Sequence, residues 1–123
     1  MSCLFNSLAR FVGEPSAVVR QKICDYLAAG KPIIEGLDTR TILAYEYEGR
    51  DYVQRMRRPS TWGGAIEIQA ACNLWGYRVV VHNHRTAART QIEFLPVSLN
   101  SPTRTVHLSW TGGHYEAMST ETR

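Results

Sequence analysis

One stretch limits the possible folds of this chain more than any other: Trp62-Gly63-Gly64-Ala65-Ile66-Glu67-Ile68-Gln69-Ala70-Ala71-Cys72-Asn73-Leu74-Trp75-Gly76-Tyr77-Arg78-Val79-Val80-Val81. It reads as a loop, a helix and a strand, with no linker between the last two. Ile68, Ala71, Cys72 and Trp75 recur at helical spacing and share one face. Ser60 or Thr61 is the expected N-cap, and Gly76 the expected left-handed terminator. Tyr77 to Val81 is short and β-branched, the composition of a strand covered on both faces. A helix running straight into such a strand forms the middle of an α/β or α+β core, and the remaining segments must pack around it.

The flanking segments supply material for one domain, in keeping with a length of 123 residues. Upstream, Leu4, Leu8, Phe11 and Val12 have helical spacing that stops at Gly13. A second helix opens at Pro15 and buries Val19, Ile23, Tyr26 and Leu27. It leaves Arg20, Gln21 and Lys22 in water and ends at Gly30 and Pro32. Lys31 to Arg40 reads as a loop. Thr41 to Met56 reads as a third helix, weak at Gly49, with Tyr52, Val53 and Met56 on its apolar side and Pro59 closing it. Downstream, a polar connection over His82 to Thr90 leads to a strand over Gln91 to Val97, which Pro96 marks as an edge. After a turn at Leu99 to Thr103, Val106, Leu108 and Trp110 alternate as a strand. Thr111-Gly112-Gly113 is a tight turn, His114 to Met118 is a last short strand, and Ser119 to Arg123 reads as a frayed end.

Composition excludes several classes of function. The net charge of +3 comes largely from Arg55, Arg57 and Arg58, which read as a solvated helix end and not as a nucleic-acid surface. The three cysteines are widely spaced, form no Cys-x-x-Cys and offer no zinc pattern, so no metal is expected and a reducing compartment fits. Neither a signal region nor an apolar run of about eighteen residues is present, which points to a soluble, cytoplasmic protein with no membrane partner.

The candidate chemistry sits at the two ends of the chain. Cys3 falls at a helix start, where unpaired N–H groups and the helix dipole favour thiolate over thiol. His114 begins a strand after a Gly-Gly turn, and alternation puts Glu116 on the same side. The three supply a nucleophile, a base and a carboxylate to orient the base.

The order and spacing of Cys3-Leu4-Phe5, Trp62-Gly63-Gly64-x-x-Glu67-Ile68-x-Ala70, Gly76-Tyr77-x-Val79-x-Val81 and Gly113-His114-Tyr115 resemble the ovarian-tumour (OTU) domain cysteine proteases, a family of deubiquitinases. The resemblance covers nearly the whole chain. It implies an α+β, papain-like fold, with a small, mostly antiparallel sheet flanked by helices. It also implies a thiol mechanism in which Cys3 attacks the carbonyl of ubiquitin's C-terminal glycine and His114 carries the proton. Ubiquitin or a ubiquitin-like modifier is the implied partner, with no cofactor. Gly63, Gly112 and Gly113 are expected to let backbone approach a diglycine, with Trp62 and Tyr115 as walls. In two places the pattern departs. The family usually has Asp-Gly-x directly before the nucleophile, whereas Met1 and Ser2 precede Cys3 here, so the expectation is a domain cut short at its N-terminal edge. The orienting residue is more often Asp or Asn, so Asn83, at the end of the central strand, is an alternative to Glu116. A catalytically impaired ubiquitin-binding module and a viral-type polyprotein protease are the competing functional readings.

Overall fold

The computed structural model describes residues 3–46, 51–84, 90–97 and 101–118. Met1, Ser2, Gly49, the middle of the 82–90 connection, part of the 99–103 turn and the 119–123 end lie outside these residues. Helix α1 spans Cys3–Val12, α2 Ser16–Ala28, α3 Thr39–Ala44, α4 Tyr52–Met56 and α5 Ala65–Trp75. Strands β1 (Tyr77–Asn83), β2 (Gln91–Phe94), β3 (Arg104–Trp110) and β4 (Tyr115–Ala117) form a single sheet in the order β2-β1-β3-β4.

The helix-strand unit forms as its residue pattern predicts. Gly76 takes φ +71° and its N–H donates to the Cys72 carbonyl at 2.8 Å, so the chain turns from α5 into β1 without a linker. Neither Ser60 nor Thr61 caps α5. The N-cap is Gly64, and the Thr61 hydroxyl instead donates to the Arg55 carbonyl at 2.5 Å. Glu67 does the work of the missing cap by reaching back to accept the Gly64 N–H at 2.7 Å. The helix lies between α2 and the sheet, and its buried residues include Glu67, Ile68, Ala70, Ala71 and Cys72.

Val79 and Val81 of β1 stand in parallel register with Val106 and Leu108 of β3, and all four are buried. The two outer pairings, β1 with β2 and β3 with β4, are antiparallel. The sheet is therefore mixed, with antiparallel edges around a parallel centre. Leu4, Phe5, Leu8, Val19, Ile23, Leu27 and Ile68 complete the core with these strands. Alternation sends Arg78, His82, His107 and Ser109 to the other face. There Arg78 pairs with Glu93, and His82 Nε2 lies 2.9 Å from His107 Nδ1.

Two expectations need correction. Arg20 is not wet: it is 3% exposed, because its guanidinium donates to the carbonyls of Met56 at 2.7 Å and Pro59 at 3.1 Å and stacks 4.0 Å over the Phe5 ring. The third helix is not continuous. α3 starts earlier, capped by the Asp38 carboxylate on the Thr41 N–H, and ends at Ala44; α4 starts afresh at Tyr52.

Candidate active site

Helix α1 packs against edge strand β4, and the seam between them opens into a cleft of about 340 Å³. Cys3, Asn6, Ser7 and Arg10 line one wall, spaced so that they form a single helix face; His114, Tyr115, Glu116 and Ala117 line the other. Cys3, at the start of α1, is partly exposed. The turn at Gly112, φ +105°, and a Thr111 N–H bond to the His114 carbonyl at 3.1 Å set the entry to β4. Glu116 Oε2 lies 3.4 Å from His114 Nε2. With side chains 54% and 69% exposed, this pair adds little to stability. The carboxylate faces Nε2 of the ring and not Nδ1. Asn83 ends β1 in register with Trp110, and its amide donates to Thr90 Oγ1 at 3.5 Å.

The proposed slot residues lie beside this cleft. Trp62 is 52% exposed, and a Cβ placed on Gly113 would sit 3.6 Å from its ring, so Trp62 and the glycine before His114 face each other. Gly63 lies directly against Leu4 and Phe5, the two residues that follow Cys3. Tyr115 is half-buried beside Trp110. Burial, then Coulombic interaction with Cys3 and Glu67, pushes its phenol above the ordinary value, so it stays a donor at neutral pH.

Over residues 2–115 the chain matches the family model for the OTU-like cysteine proteases. The chain belongs to that family. It is 30% identical over 125 residues to the OVARIAN TUMOR DOMAIN-containing deubiquitinating enzyme 9 of Arabidopsis thaliana, covering 98% of this chain and 33% of that protein. The chain thus spans about a third of this relative's length. Among solved structures it is similar to an OTU domain in complex with ubiquitin, with a TM-score of 0.72 and 19% identity over 94% of this chain and 62% of that one. It is also similar to the OTUD1 OTU domain, with a TM-score of 0.63 and 19% identity over 94% of this chain and 77% of that one. The viral OTU domain protease from Dera Ghazi Khan virus gives a TM-score of 0.63 and 17% identity, covering 96% and 76% of the two chains. These likenesses show the OTU fold. No helix of the described residues is long and apolar enough to cross a membrane, and among them no group of three or more His, Cys, Asp or Glu could hold a metal.

Residue patterns did not single out Ser7. Its buried hydroxyl lies 2.8 Å from the Cys3 carbonyl and 3.2 Å from the Tyr115 carbonyl, joining the helix of this OTU domain that carries the thiol to the strand that directly follows His114. Its position four residues after Cys3, on the same helix face, was the available clue. Ser7→Ala is expected to destabilise the fold by about 1 kcal/mol and to slow thiol-dependent turnover several-fold. Thermal unfolding read together with kcat checks both.

Glu67 is the most deeply placed carboxyl group in the OTU core described here, 1% exposed. Oε2 accepts the Tyr52 hydroxyl at 2.5 Å and Oε1 the Gly64 N–H. Burial raises its pKa, opposed first by the Tyr52 bond and then by the Gly64 bond, while Glu46 adds to the rise. Arg20 and Cys24 of α2 and Tyr115 of β4 also lie within electrostatic range. A folded carboxyl raised above its unfolded value contributes stability at low pH. That contribution is lost as pH climbs from about 4.3 through the higher folded value. Relative to the parent, Glu67→Gln is therefore expected to gain thermal stability as pH rises from acid to neutral, which melting curves across that range would read.

Proposed function

We propose that this chain is a deubiquitinase that hydrolyses the isopeptide bond after the C-terminal glycine of ubiquitin. The observation that carries the reading is one cleft, in an OTU fold, lined by Cys3 at a helix start, by His114 and by Glu116, with the carboxylate 3.4 Å from the imidazole. The relative named a deubiquitinating enzyme and the similar OTU domain in complex with ubiquitin support it.

In this reading His114 takes the Cys3 proton, and the sulfur adds to the glycine carbonyl. Backbone N–H groups, including that of Cys3, hold the oxyanion. Collapse breaks the C–N bond, and His114 gives its proton to the departing lysine amine, leaving a thioester. Water, deprotonated by His114, then adds to the thioester. The C–S bond breaks, ubiquitin leaves as a carboxylate, and the thiol recovers its proton. Glu116 positions the ring throughout. Trp62, Gly63, Gly112, Gly113 and Tyr115 form the slot for the diglycine, where only side-chain-free backbone fits. The scheme uses no cofactor.

A ubiquitin probe with a C-terminal electrophile tests this. Burial pushes the Cys24 thiol up to about 11 and the Cys72 thiol up to about 12, so both stay protonated and shielded at neutral pH. The expected result is one adduct, mapped to Cys3 by mass spectrometry. Absence of labelling, or an adduct on Cys24 or Cys72, overturns the reading.

A further inference from the structure

Behind the slot lies a polar assembly that takes no part in the thiol chemistry. Tyr52 of α4 and Gly64 of the loop both donate to Glu67, one to each carboxylate oxygen. The loop between them carries Trp62 toward Gly113 and presses Gly63 onto Leu4 and Phe5. We infer that the Glu67–Tyr52 pair is a positioning strut that holds Trp62, Gly63 and Gly64 as the rigid wall of the diglycine slot, and so governs substrate binding more than the chemical step. This rests on the deubiquitinase reading above.

The Glu67 carboxyl group is buried. Taking it out of water is costly, and an apolar side chain of similar size at the start of α5 would avoid that cost. What the carboxylate supplies is direction. Its two hydrogen bonds, at 2.5 Å to the Tyr52 hydroxyl and 2.7 Å to the Gly64 N–H, are short and directional, and each ends on a different element. One fixes the backbone at Gly64, where the N-cap has no side chain of its own to do so. The other ties that point to α4. From the opposite side, Arg20 holds the Met56 and Pro59 carbonyls while lying on Phe5, which fixes where the loop begins. The segment from Pro59 to Gly64 is thus anchored at both ends, with exposed Trp62 between the anchors. A wall that touches the diglycine equally in the bound substrate and in the transition state changes KM and leaves kcat nearly unaltered.

The test uses the full chain. Steady-state hydrolysis of a fluorogenic ubiquitin C-terminal conjugate is measured for the parent, Glu67→Ala, Glu67→Gln and Tyr52→Phe. Alkylation of Cys3 by iodoacetamide is measured in parallel, since it needs the thiol but no slot. Glu67→Ala is expected to raise KM at least tenfold, with kcat and alkylation rate within about threefold of the parent. Glu67→Gln keeps the shape and an acceptor for the Gly64 N–H, and is expected to restore KM to within about threefold. A fall in kcat at constant KM, or Glu67→Gln behaving like Glu67→Ala, overturns the inference. If Glu67→Ala does not fold, Tyr52→Phe decides, with a several-fold rise in KM expected and no rise overturning. A parent inert toward the conjugate would count against the deubiquitinase reading alone. Amide exchange at Gly64 then tests the strut by itself: acceleration of about tenfold or more in Tyr52→Phe supports it, and unchanged exchange overturns it.

Discussion

His114→Ala is expected to turn over a ubiquitin conjugate about a hundred- to ten-thousand-fold more slowly than the parent at neutral pH, with its melting curve almost unchanged. On the proposed mechanism, the loss follows from removing the group that takes the thiol proton and returns it to the departing amine. The intact fold follows from exposure: the His114 side chain is 54% accessible and its ion-pair partner Glu116 is still more exposed, so little packing disappears. Glu116→Ala should show a milder defect, because it leaves the base present but free to rotate. Steady-state kcat/KM for the fluorogenic conjugate, with circular dichroism melts as the control, reads all of this. A His114→Ala protein with parental kcat/KM would remove His114 from the mechanism.

Gly63→Ala is expected to damage both stability and turnover, although a methyl group is the smallest possible addition. A Cβ at this position would sit 2.8 Å from Leu4 Cδ2 and 3.0 Å from Phe5 Cε2 and Cζ. Leu4 and Phe5 are both buried in the core, so neither has room to retreat. Overpacking of this kind costs about 1–3 kcal/mol. The displacement also passes along α1 to Cys3, the residue next to Leu4, and a nucleophile moved by about 1 Å can lose on the order of a hundredfold in rate. Gly64→Ala is the control: nothing lies within 4 Å of a Cβ there, and its φ of −149° suits any residue. Denaturant unfolding of the two variants should differ sharply, and Gly63→Ala should also lose kcat. Equal behaviour would mean that the loop slides away from α1 at little cost.

The difference between what the residue pattern reveals and what it hides is one of range. The α5–β1 unit and the stop at Gly76 were legible because periodicity and a left-handed glycine are local signals. The parallel pairing of β1 with β3 was not, since nothing within a strand states which neighbour it will take. Arg20 was misjudged for the same reason. Its helix position reads as wet, and its burial rests on partners far along the chain, among them carbonyls 36 and 39 residues away. Gly49 marks a weak point between α3 and α4, but the apolar positions on both sides keep helical spacing, so two separate helices read as one. At the site, Cys3, His114 and Glu116 were flagged by helix start, turn and alternation together with a family motif. Ser7 and Tyr52 carry no such mark, since their roles exist only once α1 meets β4 and α4 meets α5.

The hydroxyl bridge between Ser7 and Tyr115 joins positions 108 residues apart. Loop closure over such a distance comes late in folding, after neighbouring segments have set. As the chain emerges during synthesis, its sulfur-bearing helix is made long before the strand that brings the imidazole. On the proposed mechanism, a ribosome-bound polypeptide that stops short of that strand holds the thiol without its base, and the cleft between α1 and β4 is complete only when the sheet is.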